Sequence, residues 1–272
     1  MSFLSCNGQS LEPALTPSLL VNYGHFTSLQ VRAGAVQGWP LHLQRLQQGS
    51  LELFDTALDE AQLQSWLQQA LQSYALEDAS LRITVFSRRF DFRQPLQAVP
   101  LDVLIGLTPP VTMPTTARAV LPMEYQREMP QLKHVGTFPL FNLRREAMRQ
   151  GYDDALLVDA AGLISEGSTW NLAFWDGAQV VWPQAAALRG TAEQLLVHSL
   201  EGLGQVQLQR PVGLDELSGF SGAVACNATG LWPLGRIGGQ LFEQSDALLR
   251  LLRQALMLTP WRPLTATPVG AA

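Results

Sequence analysis

The sequence predicts an α+β fold built from two domains. Short strands with alternating apolar residues are interspersed with longer stretches of helical periodicity, and turn signals separate several of the strands. Strands and helices do not alternate regularly, which favours the α+β class. A stretch with three prolines and four threonines, residues 108–116, interrupts the pattern near the middle of the chain.

Composition limits the kind of protein. Hydrophobic residues make up 47% and charged residues 15% of the 272 residues, which is typical of a globular chain with a substantial core. The net charge of −5 argues against a large nucleic-acid surface. We find no signal-peptide pattern, and the longest apolar runs are too short to span a membrane. We therefore expect a cytoplasmic protein that binds neither nucleic acid nor membranes.

A metal site is not expected. The two cysteines, Cys6 and Cys226, lack zinc-binding spacing, and they are too few for a disulfide framework. The four histidines show no metal-ligand spacing with acidic residues or cysteines. No glycine-rich nucleotide fingerprint follows a predicted strand.

In the first half, Asn7 and Gly8 form a hairpin signal, and Pro40 is suited to the first turn of a helix. On that helix His42 and Arg45 lie three residues apart and share a face. The predicted elements are a strand and turn at 3–12, strands at 26–31 and 35–39, helices from 40 and at 59–75, and strands at 81–86 and 101–107.

In the second half, a meander of short strands lies between helices. The predicted elements are a strand at 117–122, a helix at 140–150, strands at 155–158, 163–165, 170–175 and 180–182, a helix at 191–203, strands at 206–210 and 222–226, and a helix at 243–257. We place the domain boundary in the proline-rich stretch. This gives a small N-terminal α/β domain at 1–112 and a larger, β-rich C-terminal domain at 113–272.

Lys133 is the only lysine in the chain, beside 17 arginines. Arginine replaces lysine as a solvated cation, but it stays protonated and cannot act as a neutral nucleophile or base. Lysine can lose its proton and form a Schiff base with a carbonyl group. Lys133 is therefore a candidate catalytic amine, and chance survival of one surface lysine is the alternative.

Three further places could carry chemistry. Glu166 follows a short strand and could meet a cationic ligand group, or it could cap a turn. Residues 188–191 (LRGT) open a helix, whose free N–H groups and dipole suit a phosphate, as at any helix start. Residues 226–230 (CNATG) suit a loop at which a ligand approaches the backbone, and they also suit an ordinary turn.

Five short motifs in the right order and with compatible spacing resemble those of the class IV aminotransferases, which are fold type IV pyridoxal-phosphate enzymes with the D-amino acid aminotransferase-like fold. The motifs are residues 24–28 (GHFTS), 42–46 (HLQRL), 133–135 (KHV), 159–166 (DAAGLISE) and 226–228 (CNA). Within that family they are most similar to 4-amino-4-deoxychorismate lyase. The resemblance covers nearly the whole chain and makes the C-terminal domain the cofactor-binding one.

The resemblance implies a role for each residue around pyridoxal 5'-phosphate. Lys133 would form a Schiff base with the cofactor and then transfer the substrate proton. Glu166 would face the pyridine nitrogen and keep it protonated. Arg45 would bind the phosphate as a permanently charged, bidentate partner. The phosphate site would be completed by Gly190, Thr191, Asn227, Ala228 and Thr229.

The substrate side departs further from the family pattern. Thr27 stands where many transaminases of the family have Glu and the lyase has Thr, so it is a candidate catalytic residue. Residues 87–93 replace the lyase's glycine-rich loop; Arg88 and Arg93 are the candidate substrate-binding residues. Glu193 stands where the family helix often has Arg, and Phe138 stands where branched-chain aminotransferases have Tyr.

The resemblance implies a reaction and an assembly. The first expectation is a homodimeric lyase that converts 4-amino-4-deoxychorismate to 4-aminobenzoate and pyruvate, a step of folate biosynthesis. The alternative is transamination of a D-amino acid, a branched-chain amino acid or an amine at the same site. A third hypothesis is a binding protein of this shape that has lost its chemistry.

Overall fold

The computed structural model describes residues 3–10, 22–74 and 76–264. Its contacts divide the chain into two compact units. Unit 1 comprises Met1–Val111, Leu132–Gly136 and Pro260–Ala272. Unit 2 comprises Thr112–Gln131 and Thr137–Thr259.

Unit 1 contains a five-stranded antiparallel sheet in the order β2-β1-β6-β5-β3. The strands of this sheet are β1 (Phe3–Cys6), β2 (Gln9–Ser10), β3 (His25–Val31), β5 (Ala79–Phe86) and β6 (Asp102–Thr108). The remaining elements are helices α1 (Trp39–Phe54) and α2 (Glu60–Ser73), and a small pairing of β4 (Ala35–Val36) with β16 (Arg262–Pro263).

The core of unit 1 follows from strand alternation. On β3, Leu29 and Val31 are buried in the same hydrophobic cluster as Leu46 of α1 and Leu63 and Leu67 of α2. Successive strand residues point to opposite sides, so this side of β3 faces the helices and the intervening residues face away from them. The two sides of β3 therefore have different chemistry.

Unit 2 contains a nine-stranded mixed sheet in the order β12-β11-β10-β13-β14-β7-β8-β9, with β15 paired to β14. Its strands are β7 (Arg118–Glu124), β8 (Asp154–Val158), β9 (Ile164–Gly167), β10 (Asn171–Trp175), β11 (Val180–Pro183), β12 (Gln207–Arg210), β13 (Gly222–Asn227), β14 (Gly230–Ile237) and β15 (Gln240–Leu241). Its helices are α3 (Phe138–Arg149), α4 (Thr191–Gly202), α5 (Ser245–Met257) and a 3₁₀ helix at Leu214–Gly219.

The sheet of unit 2 separates two hydrophobic clusters. Trp170, Phe174 and Trp232 belong to one, and Leu196 of α4 and Leu252 of α5 belong to the other. Strands β8, β9 and β10 are buried on both faces up to Phe174, so the side chains at their ends project from a rigid scaffold.

Most predicted elements occur at the predicted places, with two differences. The strand expected at 35–39 is only Ala35–Val36, because the chain enters α1 at Trp39. Strand β14 was not predicted, since Gly230, Pro233 and Gly235 weaken the strand pattern. The first hairpin turns at Asn7 as predicted, and residues 11–12 of that prediction lie outside the described residues.

The predicted domain boundary between residues 112 and 113 stays a prediction. The contact grouping adds that Leu132–Gly136, with the only lysine, belong to unit 1 together with the N-terminal sheet. Among the described helices, none is long and apolar enough to cross a membrane.

Candidate active site

Lys133 is held beside β3 by backbone hydrogen bonds. The Phe26 N–H donates to the Lys133 carbonyl over 2.9 Å, and the Val135 N–H donates to the Gly24 carbonyl over 2.9 Å. His25 and His134 form an isolated antiparallel bridge in the same ladder. Directly opposite residues of such a ladder share a face, so the Lys133 side chain lies on the face of Phe26. Its Nζ lies 5.0 Å from the centroid of the Phe26 ring.

An arginine shares that face. The guanidinium carbon of Arg82, on β5, lies 3.6 Å from the centroid of the Phe26 ring. Its Nε donates to Thr84 Oγ1 over 3.3 Å. The Phe26 ring thus contacts two cationic groups, the amine of Lys133 and the guanidinium of Arg82. Arg82 was not selected from the sequence, although it is the one charged residue in β5.

Thr27 lies on the opposite, helix-facing side of β3. It is fully buried, and its Oγ1 forms a 2.7 Å hydrogen bond with Nδ1 of His42 on α1. The structure therefore does not place Thr27 on the face that carries Lys133. The catalytic role of Thr27 stays a prediction, and its observed partner is His42.

His42 is a neutral imidazole next to cationic groups. Burial, together with the charges of Arg45 and Lys133, lowers the pKa of His42 to about 3. Arg45 lies three residues further along α1 and is partly buried. Its predicted contact with a phosphate stays a prediction.

The other two predicted arginines stand in the loop after β5, and each has a carboxylate partner: Asp102 at the start of β6 for Arg88, and Asp91 of the loop for Arg93. Arg88 donates from Nε to Asp102 Oδ1 over 2.9 Å, and its Nη2 is 2.8 Å from the same oxygen. Arg93 is largely exposed, with Nη1 3.6 Å from Asp91 Oδ1 and its guanidinium carbon 4.7 Å from the centroid of the Phe92 ring. The substrate-binding roles of Arg88 and Arg93 stay predictions.

Glu166 is a buried carboxylate on β9 of unit 2, with 3% of its surface exposed. Its Oε1 accepts a hydrogen bond from the Leu188 N–H over 3.1 Å. The guanidinium of Arg127, which is also buried, places Nη1 3.8 Å from the same oxygen. Arg127 was missed in the sequence, where it stands in a loop with no motif around it.

Residues around Asn171 join Glu166 to the start of α4. The Asn171 side chain donates from Nδ2 to the Leu188 carbonyl over 2.8 Å and accepts from the Gly190 N–H over 3.1 Å. A Cβ added to Gly190 would lie 2.2 Å from Asn171 Oδ1, so only glycine fits this contact. Helix α4 begins at Thr191, and the residue before it, Gly190, provides no side-chain cap for the backbone N–H groups of the first turn. A helix start without a side-chain cap can bind an anion.

The first turn of α4 contains a carboxylate as well. Glu193 is buried, and its Oε1 accepts from Arg189 Nη1 over 2.7 Å. Burial raises the pKa of Glu193, and Arg189 opposes that shift. The ion pair with Arg189 compensates the negative charge that Glu193 brings to this helix end.

The loop after β13 is shaped by Asn227. Its Oδ1 accepts from the N–H groups of Thr229 over 2.8 Å and Gly230 over 3.3 Å, and its Nδ2 donates to the Thr169 carbonyl over 3.3 Å. The Asn227 side chain is thus used to fold the turn, whereas Ala228 and Thr229 are half-buried on it. Because Cys226 pairs with Asn171 in the sheet, this loop follows the strand next to the Asn171 network.

A sequence model of the family described as "Amino-transferase class IV" matches residues 24–237. The chain belongs to the class IV aminotransferase family. This confirms, at the level of the family, the expectation of an enzyme of this type with pyridoxal 5'-phosphate as its cofactor.

Two curated relatives are similar to part of this class IV chain. Each is named "Probable branched-chain-amino-acid aminotransferase", one from Rickettsia felis and one from Rickettsia bellii, and each is 33% identical over 88 residues. The matched stretch is 32% of this chain and 29% of each relative. The chain therefore matches less than a third of the length of these relatives.

Solved structures resemble the chain along nearly its whole length. The branched-chain aminotransferase of Thermoproteus uzoniensis with norvaline gives a TM-score of 0.85 at 17% identity, covering 97% of this chain and 100% of that one. The Escherichia coli branched-chain amino acid aminotransferase gives 0.81 at 18% identity, covering 98% and 97%. The PLP-bound form of a hypothetical aminotransferase from Mycobacterium tuberculosis gives 0.77 at 18% identity, covering 94% and 99%. These likenesses confirm the predicted fold type IV architecture.

The residues of each unit fit pyridoxal phosphate by their chemistry. Unit 1 supplies an amine, Lys133, and the permanently charged Arg45. Unit 2 supplies the buried carboxylate Glu166 and a helix end that starts with Gly190, where a side chain would be excluded. These are the groups that an aldehyde, a basic ring nitrogen and a phosphate need.

Proposed function

We propose that the chain is a pyridoxal-phosphate-dependent aminotransferase that acts on an α-amino acid with an apolar side chain, such as a branched-chain amino acid. The face of β3 that carries Lys133 supports this proposal best. On that face the Lys133 amine and the Arg82 guanidinium both lie against the ring of Phe26. This pair suits an amino acid, because a guanidinium can bind its carboxylate and a neutral lysine amine can remove the proton from its α-carbon.

Each residue has a defined task in this proposal. Arg82 binds the substrate carboxylate, for which a guanidinium has matching bidentate geometry. Phe26 offers an apolar surface next to the amine. Lys133, in its neutral form, removes the proton from the α-carbon of the substrate and later returns one. Pyridoxal phosphate, when bound, supplies the electron sink that stabilises the charge left on that carbon.

The remaining residues hold the cofactor. Arg45 and the start of α4 at Gly190 and Thr191 bind its phosphate, and Glu166 faces its ring nitrogen. The similarity to two relatives named as probable branched-chain-amino-acid aminotransferases supports an apolar amino acid as the amino donor. We propose a homodimer as the working assembly, as the family resemblance implies.

A second candidate function is 4-amino-4-deoxychorismate lyase. The observation in its favour is that β3 carries no acidic residue on the face of Phe26 and Lys133, where Ser28 and Gln30 are the other side chains of the strand. A substrate with two carboxylates would meet Arg82 and no opposing negative charge on this strand, whereas a like charge there would weaken binding. The same lysine and cofactor would serve this reaction.

One assay separates the two functions. The purified holoenzyme is incubated with leucine, isoleucine or valine and 2-oxoglutarate, and in a parallel reaction with 4-amino-4-deoxychorismate. We expect glutamate formation to be faster than pyruvate release. Pyruvate release with undetectable transamination would replace the first function with the second.

Substitution of Arg82 tests whether this residue binds the substrate carboxylate. Arg82→Gln should raise the KM of the amino acid about tenfold or more, since a charged hydrogen bond contributes about 1.5–3 kcal/mol. Arg236→Gln is the matched control, because Arg236 is likewise stacked on an aromatic ring, that of Tyr152 in unit 2. An unchanged KM in Arg82→Gln would show that Arg82 does not bind the substrate carboxylate.

A further inference from the structure

Arg127 is a buried cation beside a buried carboxylate. Only 4% of its side chain is exposed, as for the side chain of Glu166. It stands in the loop after β7, and its Nη1 lies 3.8 Å from Glu166 Oε1. A charged side chain is rarely buried to this extent unless it interacts with an opposite charge.

The distance defines the kind of interaction. At 3.8 Å the Nη1–Oε1 contact is too long for a hydrogen bond, so Arg127 acts on Glu166 through charge. Oε1 receives its hydrogen bond from the Leu188 N–H over 3.1 Å instead. Arg127 thus stabilises the negative charge while the hydrogen-bonding capacity of the carboxylate is left to other donors. A guanidinium serves this purpose at any physiological pH because it does not lose its proton.

We propose that Arg127 is a positioning residue that keeps Glu166 ionised in its buried place. This inference rests on the proposed function, in which Glu166 faces the ring nitrogen of the cofactor. An ionised carboxylate holds a proton on that nitrogen, whereas a neutral carboxyl group would not. Arg127 would therefore control the electron-accepting strength of the cofactor through Glu166, without touching the cofactor or the substrate.

Two further titratable groups, Tyr125 and Glu128, stand close to Arg127 in the sequence, and Tyr125 interacts electrostatically with both Arg127 and Glu166. Burial raises the pKa of Tyr125, Arg127 lowers it, and Glu128 and Glu166 raise it. Tyr125 and Glu128 belong to the same loop as Arg127. Arg127 is thus the cation among the groups named here, and its charge acts on both Tyr125 and Glu166.

The first test uses the full chain stripped of cofactor, so that it does not depend on activity. Arg127→Met leaves a buried carboxylate without its cation and should lower the Tm by roughly 5–15 °C. Adding Glu166→Gln should recover at least half of that loss, because the charge that needs compensation is gone. Arg127→Lys keeps the charge and should lie between wild type and Arg127→Met.

A matched pair serves as the control. Arg210 and Glu216 form an ion pair at 2.7 Å in the same unit, with both side chains about a third or more exposed. Arg210→Met should lower the Tm by less than about 2 °C, and its combination with Glu216→Gln should show little coupling. Strictly additive Tm losses for Arg127→Met and Glu166→Gln would overturn the proposal.

The second test measures turnover of the holoenzyme. Arg127→Met should lower kcat and leave the KM of the amino donor nearly unchanged, since the substrate does not contact Arg127. In the Glu166→Gln background the same change should have no further effect on kcat, because Arg127 acts through Glu166. An equal loss of kcat in both backgrounds would overturn the proposal. A holoenzyme with no transaminase activity would contradict the proposed function and leave the cofactor-free cycle as the test of the Arg127–Glu166 pair.

Discussion

The two units hold their site residues by different physical means. In unit 1, neutral hydrogen bonds position the residues around β3: Thr27 with His42 at 2.7 Å, and His25 Nε2 with Ser50 Oγ at 3.1 Å. In unit 2, ion pairs and backbone donors position two buried carboxylates, Glu166 and Glu193. Lys133 in unit 1 thus lies near His42, whose pKa burial lowers far below neutrality, whereas Glu166 in unit 2 lies beside the permanent cation of Arg127.

The difference extends to the response to acid. Burial lowers the pKa of His25 to about 4 and that of His42 to about 3. At these two histidines the folded chain therefore binds fewer protons than the unfolded chain below pH ~6.5. The free energy of unfolding consequently falls as the pH falls from there. Glu193 has the opposite sign: its pKa is raised, so its contribution is present in acid and is lost as the pH rises through the raised value.

The largest effect is expected when the amine of unit 1 is removed. Lys133→Ala should lower turnover by roughly a thousandfold or more, since the chain has no second lysine to take its place. Lys133→Arg is the control: it keeps a cation near Phe26 but cannot form a Schiff base. Steady-state kinetics of both variants give the comparison. Near-normal turnover in either one would mean that the reaction does not use Lys133.

The carboxylate of unit 2 comes next. Glu166→Gln should slow turnover by about a hundredfold while most cofactor affinity remains, because a neutral amide cannot hold the ring nitrogen protonated; this corresponds to ~3 kcal/mol. Single-turnover rates per bound cofactor are the measurement. A lost affinity with an unchanged rate per bound cofactor would make Glu166 a structural residue.

Arg45 tests cofactor binding in unit 1. Arg45→Ala should weaken the affinity for pyridoxal phosphate by about 1.5–3 kcal/mol, the contribution of a charged hydrogen bond. Arg32→Ala is the control, since Arg32 lies in the same unit and pairs with Asp78 at 3.9 Å. Fluorescence titration of both variants gives the dissociation constants. Equal dissociation constants for Arg45→Ala and wild type would show that Arg45 does not bind the phosphate.

The last prediction concerns the dependence of stability on pH. His42→Gln should reduce the loss of stability between pH 6.5 and 4 by up to ~1.4 kcal/mol per pH unit, because the proton that only the unfolded chain binds there is gone. His198→Gln is the control, since the side chain of His198 is 88% exposed. Denaturant unfolding at several pH values measures the slopes. Indistinguishable slopes for His42→Gln and wild type would show that burial of His42 does not couple to protons.

A feature of the fold or the site could be predicted from the sequence when it depends on residues that are close together along the chain. Helix and strand positions depend on local periodicity, and elements such as α4 at Thr191–Gly202 and β10 at Asn171–Trp175 lie within a residue or two of the prediction. Lys133 and Glu166 were selected because composition and short motifs single them out. Both observations need only a few neighbouring residues.

Arg82 and Arg127 depend on contacts that a local pattern does not contain. Arg82 contacts Phe26 because β5 pairs with β3 in one particular register. Arg127 contacts Glu166 because the fold of unit 2 brings together two residues that are distant in sequence. The position of Thr27 has the same explanation. Alternation along β3 places Thr27 on one face with Leu29 and Val31, but only the backbone pairing of Lys133 shows which face carries the amine.

Attachment of the cofactor to Lys133 underlies the proposed function, and borohydride trapping tests it directly. The holoenzyme is reduced with borohydride, digested, and its peptides are analysed by mass spectrometry. We expect a single peptide that carries the reduced pyridoxal phosphate mass, with the modification on Lys133. A label elsewhere in the chain, or a protein that binds the cofactor and gives no reducible linkage, would contradict it.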